Sequence, residues 1–562
     1  MIKNRRHWVF VALLLLIAPA LIVAAKSKEE KDDMDVYRNL SIFNTLYKEL
    51  AISYVDTFNL DKAMETAISS MLNELDPYTE YIPAKDREDF YTISTGEYGG
   101  IGSYIMAAPG GGVLISEPYE GSPAAIAGLK PGDKIIMIDG DSTLTWTNSQ
   151  VSEKLKGQAN TVVKVVVNRP YVSDSIKTFN ITRKKIQMPS VPYFKAMDNG
   201  IGYIQLTTFN ENSPEEVKSA LLELKKDKRV KYIALDLRSN GGGVLESAIQ
   251  IVNLFVPKNT EVLRTKGRIK QNEKIYKTTQ KPVDKDIPLA ILIDGGSASA
   301  SEIVAGSLQD MDRAIIVGTR SFGKGLVQST RPLPYENLFK LTIAKYYIPS
   351  GRLIQAIDYS RRNPDGSVAR TPDSLTTVFH TAHGREVRDG GGITPDITVD
   401  WGKINRLTFN IIRDNWAFNF ATKFAAENES IVAPEDFKIT DKIFNDFKKF
   451  IDPKKFNYDK VCETGVKALK ETAEAEGYMN DSTKKVFAEL EKLLHHNLEQ
   501  DLDNNRKDIE DILAREIQKR YYYHKGAIIE GLKNDVAMDT VAKIFADRAK
   551  FEGILSPKDK KK

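Results

Sequence analysis

Apolar residues recur at helical spacing over residues 35–90, in SIFNTLYKELAISYV and again in LDKAMETAISSMLNEL, and the pattern stops at Asp76-Pro77. Residues three and four apart share one helix face, so this stretch predicts packed helices. Over residues 91–185 the pattern changes: GEYGGIGSYIMAAPGGGVLISEPYEGSPAAIAGLKPGDKIIMIDG alternates short β-branched runs with glycine turns. It predicts a strand-rich module with a short helix at SPAAIAGL closed by Gly128, a second helix at SQVSEKLKG and a strand at TVVKVVVNR.

Over residues 186–400 strands and helices alternate. GIGYIQL, KYIALDLRS, PLAILID and AIIVG read as strands, while ESAIQIVNLFV and ASEIVAGSLQD read as helices. Ser213-Pro214-Glu215-Glu216 reads as a capping box with proline at the first helical position. Such alternation builds a mostly parallel sheet flanked by helices, with ligands gathering beyond the carboxyl ends of the strands. From 401 to 562 lysine, glutamate and aromatic residues dominate, and segments such as DSTKKVFAELEKLLHHNLEQ and AIIEGLKNDVAMDTVAKIFADRAKF predict a separate helical domain with a solvated tail, PKDKKK. The fold class is multidomain α/β.

Composition narrows the function. With 80 basic and 76 acidic residues the net charge is +4, so no nucleic-acid partner is expected. Cys462 is the only cysteine, which excludes an intramolecular disulfide and a cysteine metal cluster. Lys3, Arg5 and Arg6 precede an uncharged run over residues 8–25, followed by KSKEEKDD. That pattern, over residues 1–25, is an export signal; about eighteen apolar residues leave both cleavage and retention as an anchor open. The body is expected outside the cytoplasm, in the periplasm, with membrane contact confined to this segment.

The candidate chemistry sits in DGGSASASEIVAGSLQD, where Ser297, Ser299 and Ser301 occupy a tight strand-to-helix turn. Helix N-termini stabilise developing negative charge, although serines there are often only caps. A nucleophile needs a base. The histidines after the leader, His380, His383, His495, His496 and His524, lie on no recognisable strand end beside a carboxylate, so a Ser-His-Asp triad ranks second. Lys324, between two glycines after AIIVG, is the better base, because burial would leave its amine neutral. It follows Ser299 by 25 positions, enough for one helix and one returning strand. Gln328 has an amide that could orient the amine.

GSASASEIVAGSLQD followed by VGTRSFGKGLVQ, with DLRSNGGG upstream and GGITPDITV downstream, resembles the carboxyl-terminal processing peptidases, or tail-specific proteases. The resemblance spans about residues 35–400 and implies a helical lead-in, an inserted PDZ domain and a crotonase-like core. It makes Ser299 the nucleophile, Lys324 the general base and Gln328 its orienting partner, with Ser297 and Ser301 as turn and cap residues. It also implies an oxyanion hole from the N–H groups of Ala300 and Gly242; Gly241 stands where the family has proline, so the choice between Gly242 and Gly243 stays open. Asp310 matches a family aspartate near the site. GGIG and GLKPGDKI, in their order of elements, resemble a PDZ domain, whose carboxylate loop falls on Gly99, Gly100, Ile101 and Gly102.

The implied activity is endoproteolysis of exported proteins selected by their free C-termini, without metal or cofactor. The competing readings are an inactive exported PDZ scaffold and thioester chemistry on the same core. The C-terminal helices are expected to bind an adaptor, self-associate or flank the cleft.

Overall fold

The computed structural model describes residues 33–363, 367–456 and 460–556. The export segment at 1–25 and the tail PKDKKK lie outside the described residues. Among the described residues no helix is long and apolar enough to cross a membrane. The chain divides into two compact units between Tyr81 and Ile82. In the first, residues 33–53 are helical, and the helix Leu60–Asn73 is capped by Asn59, which accepts the Lys62 N–H at 2.9 Å.

In the second unit the helix Arg87–Thr95 ends on Gly96 and leads into a β-domain. Its strands run in the spatial order Ser103–Ala107, Val113–Pro118, Lys134–Ile138, Val162–Asn168, Ile176–Thr182. Alternate residues of these strands, among them Val113, Ile115, Ile135, Val163 and Val165, face one core with Val151 and Leu155 of the helix Asn148–Leu155. Among the described residues Ser103–Ala107 pairs on one side only, leaving an open sheet edge.

The central sheet has the order Tyr193–Ala196, Ile201–Gln205, Tyr232–Asp236, Leu289–Ile293, Ile315–Gly318, Ile397–Thr398. The first pair is antiparallel and the others parallel, as the alternation of elements predicts. Its strands are apolar on both faces, so both must be covered. Ile233, Leu235, Ile291 and Ile316 face the helices Ser213–Lys226, Leu245–Asn253 and Ala300–Asp310. Ala234, Ala290, Leu292 and Val317 face Ile528, Met538, Val541 and Phe545 from the last helices of the chain.

The helical C-terminal region is therefore not packed as one body. Leu407, Phe420, Phe447, Ile509 and Leu513 belong to a core of their own, whereas the helix Val536–Ala546 is the second layer of the central sheet. Phe545 is buried and stacks on Tyr232 with ring centroids 4.6 Å apart. Phe545→Ala is expected to lower stability by about 3–4 kcal/mol, checked by denaturant unfolding.

One local expectation changes. Ser213 forms no capping box with Glu216: its hydroxyl donates to Thr208 O at 3.1 Å and bonds Ser190 Oγ at 2.7 Å, while Glu216 accepts the Val191 N–H at 2.9 Å. Both groups are drawn into the preceding loop, where buried backbone needs partners. A second, antiparallel sheet also appears, in which Leu338–Tyr347 pairs with Leu326–Pro332 and with Glu261–Gly267.

Candidate active site

Three loops follow the carboxyl ends of three adjacent parallel strands: 237–243 after Tyr232–Asp236, 294–299 after Leu289–Ile293, and 319–325 after Ile315–Gly318. This topology gathers the glycine loop, the serine turn and the lysine loop, though they are distant in sequence.

The three serines are not equivalent. Ser297 and Ser301 are fully buried. Their hydroxyls donate to Leu237 O and Asn240 O, each at 2.8 Å, fastening the serine turn to the glycine loop. Ser299 is only partly buried and begins the helix Ala300–Asp310 with φ +55° and ψ −111°. A side chain there is strained by about 1–3 kcal/mol, a strain that recurs at functional turns.

Sequence reading missed the group that holds this turn. Glu302 is fully buried and accepts four hydrogen bonds. Oε2 takes the N–H of Ser299 and the N–H of Lys324, each at 2.8 Å. Oε1 takes the Gly323 N–H at 2.7 Å and the Ser321 hydroxyl at 2.5 Å. Burial raises the Glu302 carboxyl above its ordinary value, against the pull of these four donors. On the carbonyl side, the buried Tyr346 hydroxyl donates to Lys324 O at 2.8 Å, with Ser299 O at 3.3 Å. Burial, and then the Glu302 charge, hold that hydroxyl well above its usual pKa, so it stays a donor. The backbones of Ser299 and Lys324 are thus joined at both their N–H and C=O groups.

Gly323 has φ +91°, and a Cβ there would lie 2.4 Å from Ala356 Cβ, so the lysine loop admits only glycine at this point. Gln328 lies on the strand Leu326–Pro332, and its Nε2 donates to Thr342 Oγ1 at 3.1 Å. Gly242 has φ +98°, and a Cβ there would stand 2.9 Å from both Ala300 N and Ser299 Cβ. Its N–H donates to Asn240 Oδ1 at 2.9 Å. Gly242 therefore sits against the serine turn with its N–H already engaged.

Asp310 ends the eleven-residue helix that Ser299 starts, about 15 Å along its axis, so the expected place near the site is corrected to the far end of that helix. There it is buried in an ion pair with Arg352 at 2.8 Å and accepts the Ser350 N–H at 3.0 Å. Histidines have other partners: His383 Nδ1 lies 2.9 Å from Leu555 O, His495 3.0 Å from Glu463 and His496 3.3 Å from Asp501. None of these three partners belongs to the Ser299 turn.

In the β-domain, Gly99 and Gly100 pair in register with Lys185 and Lys184. Ile101 is buried, its carbonyl accepting the Ala124 N–H at 2.8 Å, and Gly102 O accepts the Tyr119 N–H at 3.0 Å. The four residues lead directly into the open-edged strand Ser103–Ala107.

Family models match three parts of the chain: peptidase family S41 over residues 200–365, a PDZ domain over 114–169, and the "Probable PDZ-protease, C-terminal helical domain" over 407–545. With the fold, they define the class as a serine peptidase that carries a PDZ domain. A carboxy-terminal-processing protease of Bartonella bacilliformis is 35% identical over 63% of this chain and 81% of its own length. A "Probable CtpA-like serine protease" of Staphylococcus haemolyticus is 31% identical over 83% of this chain and 93% of its own. Among solved structures, a photosystem II D1 C-terminal processing protease is 27% identical, covering 64% of this chain and 86% of that one, with a TM-score of 0.35. The chain belongs to the carboxy-terminal-processing proteases of peptidase family S41.

Proposed function

We propose that this serine protease cleaves exported proteins through a dyad of Ser299 and Lys324, after its PDZ domain has bound the substrate's free C-terminus. The observation that carries the reading is the double tie between the two residues, through Glu302 and Tyr346. The Lys324 amine takes the proton of Ser299 Oγ as that oxygen attacks the scissile carbonyl, forming a C–O bond. Ala300 N–H and an N–H of the Gly242–Gly243 loop hold the oxyanion. On collapse the C–N bond breaks, and the Lys324 ammonium gives its proton to the leaving amine. Water then attacks the acyl-enzyme, losing its proton to Lys324, and Ser299 is restored. Gln328, whose Nε2 is taken by Thr342, has Oε1 left to accept from the amine.

A peptide adds as a strand to the open edge of Ser103–Ala107, its carboxylate received by the loop 99–102. The basic and apolar N-terminus supports export to the periplasm, either cleaved or kept as an anchor. In this reading the helical body built around Phe420 and Leu513 binds an adaptor, self-associates or flanks the cleft.

The test is mass spectrometry of unstructured peptides incubated with the wild type and with Ser299→Ala, each peptide offered with a free and an amidated C-terminus. Cleavage should depend on Ser299, and amidation should lower kcat/KM by about tenfold or more, as loss of a charge-assisted contact implies. Cleavage by Ser299→Ala would remove the nucleophile; equal turnover of amidated peptides would remove the C-terminal recognition. Recovery of the intact protein in the cytoplasmic fraction would overturn export.

A further inference from the structure

The loop that carries Gly242 is fastened on two sides. Toward the nucleophile, Asn240 O accepts the Ala298 N–H at 3.0 Å and the Ser301 hydroxyl at 2.8 Å, while Asn240 Oδ1 holds the Gly242 N–H at 2.9 Å. On the other side stands Arg238, two residues before Asn240. Its Nε lies 2.9 Å from Asp236 Oδ1 and its Nη2 2.5 Å from Asp236 Oδ2. The same guanidinium reaches Asp535, with Nη1 3.1 Å from Oδ1 and Nη2 2.6 Å from Oδ2. Asp535 is 297 positions away in sequence and caps the helix Val536–Ala546, accepting the N–H groups of Ala537 and Met538 at 2.9 and 3.1 Å.

The two carboxylates are nearly dry, with side chains 3% and 6% exposed, and the Arg238 side chain between them is 20% exposed. Burying charges costs several kcal/mol per ion, and apolar residues of similar size often serve stability as well or better. What a guanidinium between two carboxylates adds is direction, because its planar fork fixes both partners. Asp236 is itself fixed by the Tyr203 hydroxyl at 2.7 Å, so the end of the strand is the rigid partner and Asp535 the one that arrives with the helix.

We propose that Arg238 and Asp535 are positioning residues for peptide-bond cleavage: the final helices of the chain, through this pair, fix the loop 239–243 against the Ser299 turn and so align the oxyanion donors. The inference rests on the peptidase reading above. A helix that only covered the sheet would need its apolar face alone; this one also reaches the loop that faces the nucleophile.

The test compares Asp535→Asn, Phe545→Leu and Ser299→Ala with the wild type in the full chain, measuring kcat, KM and the unfolding midpoint on one unstructured peptide. Asparagine caps a helix as well as aspartate, so Asp535→Asn keeps the helix while weakening the hold on Arg238. Its kcat should fall about tenfold or more with KM within about twofold, the pattern of misplaced transition-state donors. Phe545→Leu, which loosens the same helix away from Arg238, should keep the wild-type kcat at temperatures where it is folded. An unchanged kcat in Asp535→Asn overturns the inference, as does an equal kcat loss in Phe545→Leu. If the wild type cleaves and Ser299→Ala does not, either result sinks only the positioning role; if the two proteins behave alike, the peptidase reading falls and takes this inference with it.

Discussion

Ser299→Ala and Lys324→Ala are each expected to lower kcat by about 10⁴-fold or more, and the double variant to fall no further than the worse single. A nucleophile and its base work as a unit, so removing either leaves only binding and the oxyanion donors, which alone retain about 10³-fold over water. Lys324→Arg should lose as much, because a guanidinium keeps the charge but cannot accept the serine proton. Stability separates chemistry from folding. At φ +55° glycine is unstrained where serine is not, so Ser299→Gly should be inactive yet more stable by about 1 kcal/mol. Single-turnover rates and denaturant midpoints on the wild type and these five variants check both statements. A Lys324→Arg protein keeping about a tenth of the wild-type rate would remove lysine from the base role, since a positioned base contributes about 10²–10⁴-fold.

Much of this arrangement was legible in the chain. The runs KYIALDLRS, PLAILID and AIIVG are too apolar for half-buried strands, and parallel strands follow from the helices between them. The gathering of three loops at one sheet edge then needs only topology. What the sequence concealed are the groups whose partners lie far along the chain. Glu302 stands three residues after Ser299, a capping-box spacing that was there to be read, but nothing local says that the same carboxylate also takes Lys324, Gly323 and Ser321. Tyr346 carries no motif of its own, and its hydroxyl meets the carbonyls of Lys324 and Ser299 only in the fold. The family resemblance puts Asp310 near the site, whereas eleven residues of helix carry it to the end opposite Ser299. The last helices announced an apolar face through their periodicity, whereas which sheet that face covers is decided by packing alone.

Glu302→Gln is expected to cost both rate and stability, and the reason is the donor count. The carboxylate accepts two hydrogen bonds on each oxygen. An amide has one oxygen, so its NH₂ must face either the N–H pair of Ser299 and Lys324 or the Gly323 N–H with the Ser321 hydroxyl. Donor meets donor in both orientations, and at least one buried backbone N–H loses its acceptor at about 1–3 kcal/mol. Displacement of the serine turn from the lysine loop by a fraction of an ångström should lower kcat by about 10²-fold, with a smaller change in KM. The pH dependence carries a sign. The Glu302 carboxyl is raised by burial, so the folded protein holds its proton more tightly than the unfolded chain. Its contribution to stability is complete below the unfolded value and is lost as pH rises through the folded one. Denaturant midpoints measured from about pH 4 toward neutrality should therefore fall in the wild type relative to Glu302→Gln, which has no proton to lose. A variant with wild-type kcat would mean that Ser299 and Lys324 keep their alignment without the shared carboxylate, and the double tie would then be a feature of folding alone.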